Sequence, residues 1–208
     1  MKYTDIAWDF DGTLFDSYPS CVQEFKELLK SYGCEETDEA IMDKMVITSR
    51  HARDHFAEKY GLDANELKRK FKGFKSFRPE EVRPYPGVEA VLKAIQDSGR
   101  HNILFTNRDH TAIDYLEYHG LAKYFAGFVT QKEMPVLKPD PSGAYVMRDK
   151  FNIAPGKLLM VGDRTADIDS VKPAGFDGCF FNTNDIEVPS NADYVLDKDN
   201  LAGLLDII

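Results

Sequence analysis

The chain has 208 residues, 43% hydrophobic and 29% charged, which suits one or two compact domains with a real core. No apolar run is long enough to span a bilayer, and a formal net charge of −9 sets the surface against nucleic acid and anionic membranes. Three distant cysteines (Cys21, Cys34, Cys179) form neither a disulfide framework nor a metal-ligand spacing and read as small buried thiols; with no signal-peptide pattern in Met1–Asp5, the expected location is cytoplasmic.

An apolar run, Ile6-Ala7-Trp8, breaks into Asp9-Phe10-Asp11-Gly12-Thr13. This reads as a buried parallel strand with functional groups at its carboxyl end, where open α/β sheets bind ligands. Two carboxylates that close cannot both ionise freely without a cation. The pair therefore predicts a divalent metal, or one protonated acid beside one ionised acid, and either suits phosphoryl chemistry. Alone, Asp-Gly between apolar segments is also a hairpin signal, so the rest of the chain decides.

From Ser17 to about Arg78 helix signals dominate. Ser20 is expected to cap a helix through Val22, Phe25, Leu28 and Leu29 that ends at Gly33. Ile41, Met45 and Val46 predict a second helix, Ser49–Tyr60 a third and Asp63–Phe77 a fourth. Three prolines and a glycine within residues 78–87 mark a linker. Beyond it helices and strands alternate: helix 88–97, strand 102–105, helix 110–119, strand 125–130, helix 141–151, strand 157–161, helix 165–172, strands near 179–181 and 194–196, and a last helix. That alternation predicts an α/β fold, a Rossmann-like parallel sheet core with helices on both faces. The expected division is a core of residues 1–16 and 85–208 and an inserted all-helical cap of residues 17–84, carried on two linkers that permit hinge closure.

In a parallel sheet the polar strand ends share one edge. Asp9 and Asp11, then Thr106-Asn107, then Lys138-Pro139, then Gly162-Asp163 with Asp167 follow in order. Each has a plainer role: Thr106, Asp109 and Asp163 as helix caps, Lys138 as a surface lysine. Their joint appearance in this order favours a site. Asp163, Asp167 and Asp169 lack the glycine and distal glutamate of an EF-hand loop.

With these motifs the chain resembles the haloacid dehalogenase superfamily, specifically phosphatases with a small helical cap such as phosphoglycolate phosphatases. The matching segments are Asp9-Phe10-Asp11-Gly12-Thr13, Ile103-Leu104-Phe105-Thr106-Asn107, Lys138-Pro139 and Gly162-Asp163-Arg164-Thr165-Ala166-Asp167, with the linker 84–88. The resemblance implies Asp9 as nucleophile, forming an aspartyl-phosphate, and Asp11 as general acid and then base. It implies Mg²⁺ held by Asp9, the backbone carbonyl of Asp11 and Asp163. Thr106 and Lys138 would hold phosphate oxygens, backbone N–H groups near Gly12 and Asn107 would add anion contacts, and Asp167 would orient the site from behind the ligands.

The implied substrate is a small phosphorylated metabolite, phosphoglycolate-like or a sugar phosphate, and the expected state is monomer or homodimer. Asp11 argues against dehalogenation, since a halide leaves without a proton. Two alternatives stand beside the phosphatase: a phosphomutase of the β-phosphoglucomutase type, and a phospho-acceptor signalling or binding module. In the cap, the basic clusters Arg50, His51, Arg53, His55 and Lys72, Lys75, Arg78 are candidates for a remote anionic group of the substrate, with a solvated helical face as the plainer reading. His101, His110 and His119 read as surface residues.

Overall fold

The computed structural model describes residues 2–208; Met1, where the expected core domain begins, lies outside them. The elements in chain order are β1 (Asp5–Trp8), β2 (Phe15–Asp16), α1 (Tyr18–Lys30), α2 (Asp38–Met45), α3 (Ser49–Tyr60), α4 (Ala64–Lys70), β3 (Arg83–Pro84), α5 (Val88–Asp97), β4 (His101–Phe105), α6 (Thr111–Tyr118), β5 (Phe125–Val129), α7 (Ser142–Phe151), β6 (Leu158–Gly162), α8 (Thr165–Val171), β7 (Asp177–Asn182), β8 (Tyr194–Asp197) and α9 (Leu204–Ile207). Six strands form one sheet in the order β5-β4-β1-β6-β7-β8, every neighbouring pair parallel. The α/β expectation holds. Among the described residues, no helix is long and apolar enough to cross a membrane.

The two central strands show why this sheet forms. β1 and β6 are buried at every position, as strands covered on both faces must be. Below one face Ala7, Ile103, Phe105, Met147, Leu158, Met160 and Val171 pack into a single cluster. β1 lies between β4 and β6, with Trp8 level with Leu104 on one side and Val161 on the other. The chain builds outward from β1 in one direction, then in the other, and the point of reversal is where such sheets open a crevice. The residues following β1, β4 and β6 are thereby brought side by side.

The chain divides into two compact units, Met1–Phe15 with Pro84–Ile208, and Asp16–Arg83. The second unit is helical and has its own core of Tyr18, Val22, Phe25, Leu29, Ile41, Met45, Ala52 and Phe56. Its first helix starts at Tyr18 with Ser17 before it, not at Ser20. Pro19 fits the opening turn, where an N–H would find no intrahelical acceptor, and Ser20 instead hydrogen-bonds Glu81 and Arg78. The helix ends at Lys30, short of Gly33. The fourth helix also differs from expectation, stopping at Lys70 instead of Phe77. The Glu24 carboxylate takes the N–H groups of Lys72 and Gly73 at 2.8 and 3.0 Å, replacing helical acceptors, and pairs with Arg78. Phe71 and Phe74 then fold back onto the core of this unit.

Several cations of this unit are already engaged: Arg53 pairs with Asp54, and Arg78 with Glu24. His51 and His55 are exposed on one face of α3. All three cysteines are buried. His119 departs from its surface reading. It is half-buried against the Phe15 and Tyr118 rings, and its Nε2 is buried without a hydrogen-bond partner among the described residues.

Candidate active site

Asp9 follows β1 directly, and its N–H donates to Val161 O of β6 at 2.9 Å, extending the ladder one residue to seat the carboxylate. The next residues reverse sharply: the Gly12 N–H donates to Phe15 O at 2.9 Å, and Gly12 holds a φ of 79° that a side chain would resist. Thr106 follows β4, its N–H held by Val129 O at 3.0 Å. Asp163 follows β6. Lys138 comes from the loop between β5 and α7. All of these expected site residues belong to one unit and reach one edge of one sheet.

Lys138 is the hub. Its ammonium donates to Asp9 Oδ1 at 2.8 Å, to Asp167 Oδ1 at 2.5 Å and to Phe105 O at 2.9 Å, satisfying all three of its protons. The residue is 6% exposed, so the surface-lysine reading fails. The Asn107 side chain clasps the Lys138 backbone from both sides, donating to its carbonyl at 3.1 Å and accepting from its N–H at 2.8 Å. Burial alone would push the Lys138 ammonium down, but the charges of Asp167 and Asp9 outweigh it and hold the pKa above its ordinary 10.5. Burial pushes the Asp167 carboxyl above its ordinary 3.8, and Asp9 adds to that shift against the opposing pull of Lys138.

Asp167 reaches this position because residue 162 is glycine. A Cβ on Gly162 would meet the Asp167 Cβ at 2.4 Å and its Oδ2 at 2.6 Å. Oδ2 of Asp167 also accepts from Arg164 N at 3.0 Å, tying the carboxylate to the start of α8. Asp163 is not a simple helix cap: its Oδ1 accepts from Thr13 Oγ1 at 3.1 Å and its Oδ2 from Asn184 Nδ2 at 3.3 Å. Oxygens of Asp9, Asp163 and Asp167 all lie within 4.8 Å of one another. The donor set is hard, oxygen-only and buried, which fits a small divalent cation such as Mg²⁺. The charge balance points the same way. Asp9, Asp163 and Asp167 are buried here around one buried cation, Lys138, and uncompensated buried charge is costly.

Asp11 Oδ1 accepts from Arg108 at 2.7 Å. The Gly12 amide is committed to Phe15 O and has no proton left for an anion; Gly12 shapes the turn, and its carbonyl accepts from Thr183 Oγ1 at 2.7 Å. Thr106 Oγ1 accepts from Arg108 N at 3.2 Å, so its hydroxyl is oriented by the turn that follows β4. Sequence reasoning placed Thr13 in the first motif but did not single out Arg108, Thr183 or Asn184. Thr183 and Asn184 follow β7, and the rule that all parallel strands end on one edge would have found them. No spacing rule flags Arg108, because its partner lies 97 positions away.

The sequence profile of the haloacid dehalogenase-like hydrolases matches residues 6–181. The chain is 28% identical to a phosphoglycolate phosphatase of Vibrio vulnificus (strain YJ016), over 98% of this chain and 95% of that protein. It is 30% identical to a phosphoglycolate phosphatase of Mesorhizobium japonicum, over 84% of this chain and 81% of that protein. In fold it is similar to a protein of Haemophilus somnus 129pt described as a predicted phosphoglycolate phosphatase, with a TM-score of 0.83, 22% identity, and coverage of 100% of this chain and 98% of that one. On the match across residues 6–181, the chain belongs to the haloacid dehalogenase-like hydrolases.

Proposed function

We propose that the protein is a Mg²⁺-dependent phosphatase of this family that hydrolyses a small phosphorylated metabolite, phosphoglycolate or a sugar phosphate, through an aspartyl-phosphate on Asp9. The observation that carries the reading is the buried Asp9 carboxylate, 2.8 Å from the Lys138 ammonium and grouped with Asp163 at the carboxyl edge of the sheet. The relatives named phosphoglycolate phosphatase support the substrate class.

In this reading a carboxylate oxygen of Asp9 attacks phosphorus, the phosphorus–oxygen bond to the substrate breaks, and the departing alkoxide takes a proton from Asp11. Asp11, now ionised, removes a proton from water as that water attacks the phosphorus, and the bond to Asp9 breaks to release phosphate. Splitting the hydrolysis gives two lower barriers in place of one. Lys138 keeps the Asp9 carboxylate aimed and lends its positive charge to the phosphoryl oxygens, which the Thr106 hydroxyl meets where charge gathers. Asn107 fixes Lys138 through its backbone. Mg²⁺ held by Asp9, Asp163 and the Asp11 backbone carbonyl would supply the positive charge that lets a phosphate dianion approach a carboxylate. Asp167 holds Lys138 from the far side.

A phosphate-release screen over phosphoglycolate, hexose phosphates and related metabolites, with and without Mg²⁺, tests the reading. Metal-dependent release from one compound is the expected result. Conversion of a sugar phosphate into its isomer without release would replace hydrolysis by phosphoryl transfer within the substrate. A phosphoryl group accepted once and held would replace it by signalling.

A further inference from the structure

We propose that Arg108 is the positioning residue for Asp11, fixing the carboxyl group that passes a proton to the leaving oxygen. The inference rests on the reading of Asp11 as proton donor given above.

Arg108 is an unusual residue to find where it lies. Its side chain is 2% exposed, and its guanidinium sits 5.0 Å from the centre of the Phe10 ring and 4.8 Å from that of Tyr115. Phe10, Phe15 and Tyr115 pack against one another, giving an aromatic wall that apolar side chains would complete without any charge. Replacing a buried ion pair by apolar groups is often neutral or stabilising. A guanidinium kept in this wall therefore points to a directional task.

The direction is fixed at several points. NH1 donates to Asp11 Oδ1 at 2.7 Å while Nε donates to Thr111 Oγ1 at 3.0 Å. Thr111 passes its own proton to Asp109 at 2.6 Å, which fixes its hydroxyl as an acceptor toward Arg108. The Arg108 backbone is anchored as well, its N–H on Thr106 Oγ1 and its carbonyl on Gln131 N at 2.9 Å. A guanidinium is planar, so holding Nε and NH1 sets the line along which Asp11 is gripped. The same turn thus orients the Thr106 hydroxyl and the Asp11 carboxyl together.

Proton donation matters in proportion to how poorly the leaving group carries charge. The test compares phenyl phosphate, whose phenol is weakly acidic, with 4-nitrophenyl phosphate, whose phenol leaves readily without a proton. The quantity read is kcat/KM, which covers the steps up to loss of the phenol and excludes the later hydrolysis on Asp9. Arg108→Met is expected to lose about 10²-fold on phenyl phosphate and under about threefold on 4-nitrophenyl phosphate, the contribution typical of a placed acid. Arg108→Lys should recover part of the loss. Asp11→Asn should show the same selective loss, and the double variant should be no worse than Asp11→Asn alone.

An equal loss on both substrates in Arg108→Met and Arg108→Lys, beside a selective loss in Asp11→Asn, would overturn the role of Arg108 and leave that of Asp11 intact. A double variant whose losses multiply would do the same. An Asp11→Asn variant with equal loss on both substrates would overturn the proton-donor reading, and this inference with it. Should Arg108→Met fail to fold, the selective loss is read from Arg108→Lys, which keeps the buried charge.

Discussion

The two edges of the central sheet carry similar residue types and put them to different use. At the amino edge, carboxylates at the first residues of strands find polar partners: Asp5 the His101 ring at 3.1 Å, and Asp177 the Lys2 ammonium at 3.0 Å and the Tyr3 hydroxyl at 2.6 Å. There Lys2 and His101 are more than half exposed, and each carboxylate has its own partner in reach of water. At the carboxyl edge the Lys138 side chain is 2% exposed and lies between two carboxylates that are themselves buried. Surface pairs are screened and contribute little, whereas a buried group stripped of its partner is left at high cost. The lesson is that burial combined with an excess of carboxylates separates a site from an ordinary charged rim.

Four experiments would break or sharpen that contrast. The largest effect belongs to Asp9→Asn, expected to lower turnover on the order of 10⁴-fold or more with an unchanged circular dichroism spectrum, as removal of a nucleophile does; turnover near wild type would remove Asp9 from its role. Next, Lys138→Met strands Asp9 and Asp167 and should cost about 3–5 kcal/mol in urea unfolding. The matching change at the other edge, Lys2→Met, should leave the unfolding midpoint within error. Comparable losses at both edges would end the distinction drawn here.

The third experiment adds Mg²⁺. Binding to the folded state alone raises stability by about 2.7 kcal/mol at a hundred times the dissociation constant. The wild type should show that rise in its unfolding midpoint. Asp163→Ala should need far more Mg²⁺ both for it and for turnover, and an unchanged requirement would exclude Asp163 as a ligand.

The smallest effect concerns acid. Burial alone would raise the Asp177 carboxyl, but the Tyr3 hydroxyl and Lys2 outweigh it and hold the pKa below its ordinary 3.8. A carboxyl depressed in the folded state stabilises the protein above its unfolded pKa and loses that contribution as pH falls through the lower folded value. Asp177→Asn should therefore flatten the acid limb of the stability curve slightly, below about pH 4, with kcat unchanged. A marked change in kcat would mean that the amino edge is coupled to the site.

Much of this was legible in the sequence, and for a reason. The strand ends announce themselves where apolar runs such as Ile6-Ala7-Trp8 and Leu159-Met160-Val161 stop at acids, because a buried strand tolerates charge only at its end. Helical spacing gave Ser49–Tyr60 and Val88–Asp97 with the bounds found. What stayed hidden depended on distant partners. The fourth helix ends at Lys70 because of Glu24, some fifty residues earlier, and no local signal carries that. Ribbon β2–β3 has two residues per strand, too few to show a period. Arg108 and His119 look like surface residues by type, and only the packed aromatic rings beside them reveal otherwise. Lys138 was found by motif, while its grip on Asp167 as well as Asp9 emerged only from the geometry.

The most direct test of the account is to look for the phosphoryl group on Asp9. In Asp11→Asn, breakdown of the phospho-enzyme should be slow, and brief reaction with 4-nitrophenyl phosphate followed by acid quench and peptide mass spectrometry should find one phosphoryl group, on Asp9. Rapid release of phosphate with no labelled peptide at any time, or label on another residue, would contradict it.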